Sequence, residues 1–175
     1  MSDELAKQQI QEWYEQYSDE IYRFVLLMIG DQDQAKDVTQ DTFLKAYQSM
    51  DYFQGNTSDK NWLYKIARNG SVDYIRKKKP IRFILDSIST IPSTEYCPEK
   101  ISLLGEKEEQ LYRSLHKLKR SYREVIILRK IKELSIQETA DVLGWNESKV
   151  KTTLFRGQAA LKKQMVEEGY THETM

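Results

Sequence analysis

The chain has 175 residues and a formal net charge of zero, with 27 basic and 27 acidic side chains. Only seven glycines and three prolines occur, whereas Glu, Lys, Gln, Leu and Ile are frequent, which indicates a mostly helical protein. The longest apolar run, Phe24 to Ile29, is far too short to span a membrane, and the first residues do not resemble a signal peptide. We therefore expect a cytoplasmic, all-α protein that is not a membrane protein.

Two helices are predicted before residue 51. The first has an apolar stripe with residues three or four apart and ends at Gly30; the stripe contains Trp13, Tyr17, Ile21, Phe24, Val25 and Met28. Either Asp31 or Asp33 is a suitable N-cap for the second, which runs to about Met50. Its two sides differ, because Ala35, Val38, Thr42, Ala46 and Met50 share one side, and Asp37, Gln40, Asp41 and Leu44 lie on or near the other.

A third helix is predicted after the loop "DYFQGNTSD". Either Ser58 or Asp59 can cap it, and its apolar positions continue to about Lys79, where Pro80 is expected to stop it. The following segment holds all three prolines and a Ser/Thr cluster, which is typical of a flexible linker between two domains. We therefore expect two small helical domains, at residues 1–80 and 106–165, with a linker at 81–105 and a tail at 166–175.

The second domain begins with two predicted helices. One spans Glu106 to Leu118. The next spans Ser121 to Ile131, opens with a capping box formed by Ser121 and Glu124, and should bury Val125, Ile126, Leu128 and Ile131.

The stretch "SIQETADVLGWNESKVKTTLFRGQAALKK" predicts two further helices joined by a short turn. Ser135 and Glu138 form a capping box, Gly144 ends the first helix, and Asn146 can cap the second, in which Val150 faces inward. This is the helix-turn-helix arrangement, whose second helix enters the major groove of DNA. A generic helical hairpin is the alternative. The second helix favours DNA, because it carries seven potential donors against one acid: Lys149, Lys151, Thr152, Thr153, Arg156, Lys162 and Lys163.

Charge is strongly segregated along the chain. Residues 1–57 hold 11 acidic and 4 basic side chains, whereas residues 58–82 hold 2 acidic and 8 basic ones. Residues 106–165 are again basic, with 14 basic side chains against 8 acidic ones. Two separate basic segments indicate two places that contact a polyanion.

The first basic segment also contains interleaved aromatic residues, namely Tyr52, Phe53, Trp62, Tyr64 and Tyr74. Rings that stack on bases and cations that follow the backbone are typical of single-strand binding, although Tyr52 and Trp62 are equally compatible with a place in the core. The adjacent Gly-Asn loop offers donors that can hold an extruded base. Duplex reading in one domain and single-strand capture in the other are what promoter opening requires.

Two long blocks resemble a known family. "DVTQDTFLKAYQSMDYFQGNTSDKNWLYKIARNGSVDYIRKKK" resembles region 2 of the extracytoplasmic-function (ECF) sigma factors, in the sigma-70 family of RNA polymerase sigma factors. "LHKLKRSYREVIILRKIKELSIQETADVLGWNESKVKTTLFRGQAALKK" resembles their region 4. The chain departs from a good helix-forming sequence at Gly70, which predicts a weaker helix or a close packing contact there.

The resemblance implies three sets of functional residues. Contact with the β′ clamp helices of core RNA polymerase is expected from Asp37, Gln40, Asp41, Phe43 and Tyr47. Recognition and melting of the −10 element is expected from Phe53, Gly55, Asn56, Ser58, Lys60, Trp62, Lys65, Arg68, Asn69, Asp73 and Arg76. Recognition of the −35 element is expected from Lys149, Lys151, Thr152, Thr153, Phe155 and Arg156.

The implied partners are core RNA polymerase, through its β′ clamp helices and β flap, promoter DNA, and an anti-sigma factor that is often membrane-bound in this family. No cofactor, metal or catalytic residue is expected, because only two histidines and one cysteine occur and no P-loop, GxSxG, HExxH or CxxC motif is present. The alternative function is a helix-turn-helix regulator that acts without being a polymerase subunit.

Overall fold

The computed structural model describes residues 2–88 and 106–169, with side chains described for 2–78 and 110–169. Within these ranges the fold is all-α, as predicted, and has no strand. The helices are α1 (Asp3–Ile29), α2 (Gln32–Gln48), α3 (Asp59–Ile88), α4 (Glu106–Lys117), α5 (Arg120–Ile126), α6 (Ile136–Leu143) and α7 (Glu147–Glu167). They form two compact units, α1 to α3 and α4 to α7. Most of the predicted linker and the last six residues of the tail lie outside the described residues.

The N-terminal unit is a bundle in which α1, α2 and α3 all pack against one another. Its core contains Phe24 and Tyr64, whose rings meet edge to face with centroids 5.1 Å apart. The Tyr64 hydroxyl donates a 2.7 Å hydrogen bond to Glu20. Burial raises the pKa of Tyr64, and the Glu20 carboxylate raises it further, so this phenol stays protonated and keeps donating.

Side-chain caps define the helix starts in this unit. Asp31, rather than Asp33, caps α2, because its Oδ1 accepts from the backbone N–H groups of Asp33 and Gln34 at 3.0 and 3.1 Å. Ser58, rather than Asp59, caps α3, since its Oγ accepts from the Asn61 N–H at 3.2 Å. Each cap satisfies N–H groups that have no partner inside the helix.

Two helix ends differ from the prediction. Helix α2 ends at Gln48 and is followed by a 3₁₀ turn, Met50–Tyr52, which inserts Met50 into the core. Helix α3 does not stop at Pro80 but continues to Ile88. Proline removes one backbone hydrogen bond and strains the preceding turn, but a long helix can absorb this loss when the residues on both sides are helix-compatible.

The C-terminal unit has its core at the crossing of α5 and α7. The two helices approach closely because Gly157 has no side chain: a Cβ there would lie 3.2 Å from Cβ of Tyr122. A π-helical turn, Ile127–Ile131, continues from α5. The predicted burial of Val125, Ile126 and Leu128 is confirmed. The predicted burial of Ile131 is wrong, because its side chain is 37% exposed at the end of this turn. The wider winding of the π-helical turn changes which residues face inward.

The predicted capping box at Ser121 is also wrong. Helix α5 begins one residue earlier, at Arg120, and the residue at its N-cap position, Lys119, makes no side-chain cap hydrogen bond. Glu124, the expected partner of Ser121, is buried, and its carboxylate lies 3.7 Å from Nε of Arg120. Tertiary burial therefore overrides the local capping pattern.

The end of α7 is fastened to α4 by Glu168. Its carboxylate accepts hydrogen bonds from Ser114 at 2.9 Å and from Gln164 at 3.2 Å, and it forms an ion pair with Lys117. Burial alone raises the pKa of Glu168, but the donors from Lys117, Ser114 and Gln164 prevail and hold it below its ordinary value. The first residues of the predicted tail are thus part of the folded C-terminal unit.

Candidate nucleic-acid interface

Helices α6 and α7 form the predicted helix-turn-helix, and local hydrogen bonds set its geometry. The Ser135 N–H donates to the Glu138 carboxylate at 2.7 Å, and the Glu138 N–H donates to Ser135 Oγ at 3.1 Å, which confirms the capping box. Gly144 has a φ of 68°, in the left-handed region that glycine tolerates best. Asn146 then caps α7 by accepting from the Lys149 N–H at 2.7 Å. The turn is therefore specified residue by residue.

Helix α7 has an inner and an outer side. Val150, Leu154 and Gly157 are buried on the inner side. Most residues predicted to contact the −35 element lie on the outer side and are exposed: Lys149, Lys151, Thr152, Phe155 and Arg156. Phe155 is 77% exposed, which is unusual for a large apolar ring. Only Thr153 departs from this surface, because it is half-buried.

A residue that sequence reasoning missed lies beside this surface. Trp145 is half-buried in the turn, and Nζ of Lys149 lies 4.3 Å from the centroid of its rings. This is a cation–π contact at the start of the outer side of α7. The spacing of four residues between a tryptophan and a lysine was the available signal.

The aromatic residues predicted to bind the −10 element form a cluster within the N-terminal unit. Phe53 and Trp62 lie 4.8 Å apart, and both pack against the buried Trp13, at 5.5 and 5.8 Å between centroids. The indole N–H of Trp13 donates to Asp59 at 3.0 Å. Phe53 and Trp62 are half-buried as a result, so part of each ring serves the core.

The remaining residues predicted to contact the −10 element fall into two groups. Those with internal roles are Ser58, which caps α3, Lys60, which pairs with Glu20 at 2.9 Å, and the half-buried Arg68, whose Nη1 donates to Asn69 at 3.3 Å. Those exposed on the loop and on α3 are Gly55, Asn56, Lys65, Asn69, Asp73 and Arg76. Tyr52, one of the interleaved aromatic residues noted in the sequence, is 82% exposed at the end of the 3₁₀ turn.

The residues predicted to bind polymerase lie on different sides of α2. Gln40 is exposed. Phe43 and Tyr47 line an apolar groove of about 660 Å³ between α1 and α2. Phe43 is not exposed as expected but buried, because its ring packs edge to face on Tyr14 at 5.0 Å. Leu44 is 53% exposed at the same groove and was missing from the predicted set.

Asp37 and Asp41 line a second cleft of about 310 Å³, between α2 and α3. Asp73, predicted to contact DNA, lines this cleft too. Gly70 lies at the base of the contact between the helices, where a Cβ would be 3.3 Å from Cγ1 of Val38. Of the two expectations for Gly70, close packing is therefore the correct one.

The C-terminal unit has an apolar groove of about 450 Å³ next to α7. Two lysines are among the residues that line it, which are Leu111, Ile126, Lys130, Ile131, Gln158, Leu161 and Lys162. The exposure of Ile131 is explained by its place in this groove. A groove with apolar walls and a basic rim fits an amphipathic helix with acidic flanks.

The sequence and the fold place the chain in a family. Residues 13–81 match the family described as Sigma-70 region 2, and residues 108–161 match the one described as Sigma-70, region 4. These segments cover most of α1 to α3 and nearly all of α4 to α7. The chain is therefore a sigma factor of the sigma-70 family, and this result supports a polymerase subunit over the alternative of an independent regulator.

Its relatives define the group within that family. The ECF RNA polymerase sigma factor SigX of Bacillus subtilis is 35% identical, over 87% of this chain and 81% of its own length. The RNA polymerase sigma factor YlaC of the same organism is 37% identical, over 89% of this chain and 91% of its own length. The chain belongs to the ECF sigma factors.

A solved structure agrees in fold. The sigma factor RpoE of Bartonella quintana, which was crystallised with the anti-sigma factor NepR, superposes with a TM-score of 0.70 at 24% identity. The match covers 89% of this chain and 95% of that one. At this identity the likeness concerns the fold only.

Two kinds of feature are absent from the residues that the structure describes. Among them, no group of three or more His, Cys, Asp or Glu side chains is arranged to hold a metal ion. Among them also, no helix is both long and apolar enough to cross a membrane.

Proposed function

We propose that this ECF sigma factor reads the −35 element as duplex DNA with the outer side of α7. The observation that carries the proposal is the row of exposed residues on that side: Lys151, Thr152, Phe155 and Arg156. Arg156 suits a guanine edge or a phosphate, and Phe155 suits a thymine methyl group. Their positions are fixed because Val150 and Leu154, on the opposite side of the helix, are anchored in the core.

The −10 element is assigned to the loop and the exposed residues of α3. Lys65, Asn69 and Arg76 are spaced four and seven residues apart, so they lie on one helical side and can follow a single strand. Phe53 and Trp62 are half-buried, so part of each ring stays accessible near the start of α3. The positive charge of residues 58–82 supports this assignment.

Core polymerase is assigned to the exposed ridge of α2. Asp37, Gln40, Asp41 and Leu44 follow the i, i+3, i+4, i+7 spacing of one helical side, which suits a helical partner with basic side chains. Phe43 supports the ridge from beneath rather than touching the partner. The groove beside α7 is the candidate site for the β flap.

An anti-sigma factor is a further proposed partner, because the sigma factor RpoE of Bartonella quintana, which shares this fold, was crystallised with the anti-sigma factor NepR. We assign no chemistry to the chain itself, since polymerase makes the RNA. Its place of action is then the cytoplasm, where polymerase works.

The deciding experiment is in vitro transcription with core polymerase on a promoter library. Promoter-specific initiation that depends on this chain is the expected result.

Arg156→Ala should lower −35-dependent initiation about 10-fold or more, as expected for the loss of a good base contact, and leave core binding intact. Asp41→Ala should weaken core binding instead. If Arg156→Ala abolished core binding, the proposed division of labour would be wrong.

A further inference from the structure

We propose that Trp145 is a positioning residue that holds the Lys149 ammonium group where a backbone phosphate of the −35 duplex arrives. The inference rests on the proposed reading of that element by α7. It concerns a residue outside the predicted DNA-binding set, and the contact that carries it is the 4.3 Å distance between Lys149 Nζ and the Trp145 ring centroid.

Both partners of this contact are fixed through their backbones. The Trp145 N–H donates to the Ala140 carbonyl at 3.0 Å, which is the hydrogen bond that closes a helix end after a left-handed glycine. The Lys149 N–H donates to the Asn146 side chain at 2.7 Å. The positions of the Trp145 ring and of the Lys149 Cα are therefore fixed by separate hydrogen bonds. The ring then limits the conformations that the long Lys149 side chain can adopt.

No described carboxylate neutralises the Lys149 ammonium group. Among the side chains that the structure describes, no carboxylate forms an ion pair with Lys149, and its only electrostatic contact is with the ring. By contrast, Lys60 pairs with Glu20 and Lys117 pairs with Glu168. A lysine in the first turn is also unfavourable for the helix dipole, so the placement is not explained by helix stability.

A ring-held ammonium group serves a phosphate better than a mobile one. A lysine loses rotamer freedom when it is ordered, and the ring contact removes part of that loss before DNA arrives. The ring quadrupole attracts the cation without cancelling its charge, so the full charge remains for the phosphate. Trp145 thus acts through Lys149 and need not touch DNA itself.

The test is promoter binding by the holoenzyme, reconstituted from core polymerase and the full chain, as a function of salt concentration. Lys149→Met should lower the slope of log K against log salt by about 0.9, the value of one phosphate contact. Trp145→Leu should weaken binding about two- to five-fold and lower the slope in the same direction. Trp145→Phe, which keeps a ring, should stay near the wild type.

The double variant Trp145→Leu/Lys149→Met separates positioning from folding. If the ring acts through the lysine, the double variant binds no more weakly than Lys149→Met alone. Additive losses, or a Trp145→Leu variant with unchanged affinity and slope, would overturn the inference. As the control, Trp145→Leu combined with Arg156→Ala should be additive, because those two residues act separately.

Failure of the inference differs from failure of the proposed function. A wild-type holoenzyme that binds a promoter with a scrambled −35 element as tightly as the intact one refutes the function and the inference together. If the wild-type holoenzyme prefers the intact −35 element and Trp145→Leu leaves the affinity and the salt slope unchanged, only the inference is refuted.

Discussion

The two units of the molecule hold their functional residues in different ways. On α7 the residues proposed to meet DNA are exposed, whereas the inner side of the same helix packs in the core. In the N-terminal unit several of the corresponding residues already make contacts within the protein, since Phe53 and Trp62 pack on Trp13 and Lys60 pairs with Glu20. Duplex DNA has a regular shape that a rigid surface can match. If Phe53, Trp62 and Lys60 bind an unpaired strand, as proposed, they exchange contacts within the protein for contacts with the strand.

The largest effect expected from this comparison is at Trp13. Trp13→Ala should destabilise the N-terminal unit by about 3–5 kcal/mol, because it removes a buried ring, its two aromatic contacts and the hydrogen bond to Asp59. Hydrogen exchange should show faster exchange in α1 and α3 and unchanged protection in α7. The exposed neighbour Gln16→Ala is the control, and equal loosening of both units would contradict their separate stabilities.

The second effect distinguishes two adjacent residues of α2. Phe43→Ala should cost about 3–5 kcal/mol of folding free energy, since Phe43 is buried, whereas Leu44→Ala should cost less than about 0.5 kcal/mol. Leu44→Ala should nevertheless weaken binding to core polymerase. Thermal unfolding and a core-binding assay on both variants measure this. A stable Phe43→Ala variant that fails to bind would restore Phe43 as a direct contact.

A smaller effect is expected in the C-terminal unit. Gly157→Leu should destabilise it by about 1–3 kcal/mol, because the new side chain must displace Tyr122 or Ile126 at the α5–α7 crossing. The next residue, Gln158, is exposed, so Gln158→Leu should be nearly neutral. Chemical denaturation followed by circular dichroism compares the two, and similar midpoints would show that α5 and α7 can move apart at no cost.

The smallest effect is pH-dependent and arises at Glu168. Since its pKa is lowered by folding, its hydrogen bonds and ion pair stabilise the unit above the ordinary value of 4.5, and this stability is lost as pH falls through the folded pKa. Glu168→Gln should cost about 1 kcal/mol at pH 7, since the Lys117 end of the pair is solvent-exposed, and nothing at low pH. Melting curves from pH 3 to 7 test this, with the exposed Glu167→Gln as the control.

The sequence predicted best what depends on neighbouring residues. The capping box at Ser135, the turn at Gly144 and the cap at Asn146 were all correct, because each is formed within a few residues of chain. The fold class and the family followed from the same local patterns together with long matching blocks.

Errors occurred where distant residues decide the outcome. Ser121 has a capping pattern, but Glu124 is buried in the core and does not complete the box. The error at Pro80 is of another kind, because a proline inside a long helix does not always end it. Phe43 was predicted to be exposed because helical spacing alone cannot show that Tyr14, on another helix, covers it. The roles of individual residues in DNA and polymerase binding remain predictions that the proposed variants test.

The position of α2 between two recesses has a consequence for inhibition. The apolar groove on its α1 side is lined by Leu44, and the cleft on its α3 side is lined by Asp37 and Asp41, so both recesses include residues of the proposed polymerase-binding ridge. A partner that contacts all of this ridge, as proposed for polymerase, therefore covers part of both recesses. An inhibitor bound in either recess is then expected to compete with polymerase. The two recesses suit ligands of unlike chemistry, because the first is mostly apolar and the second is lined by both acidic and basic side chains.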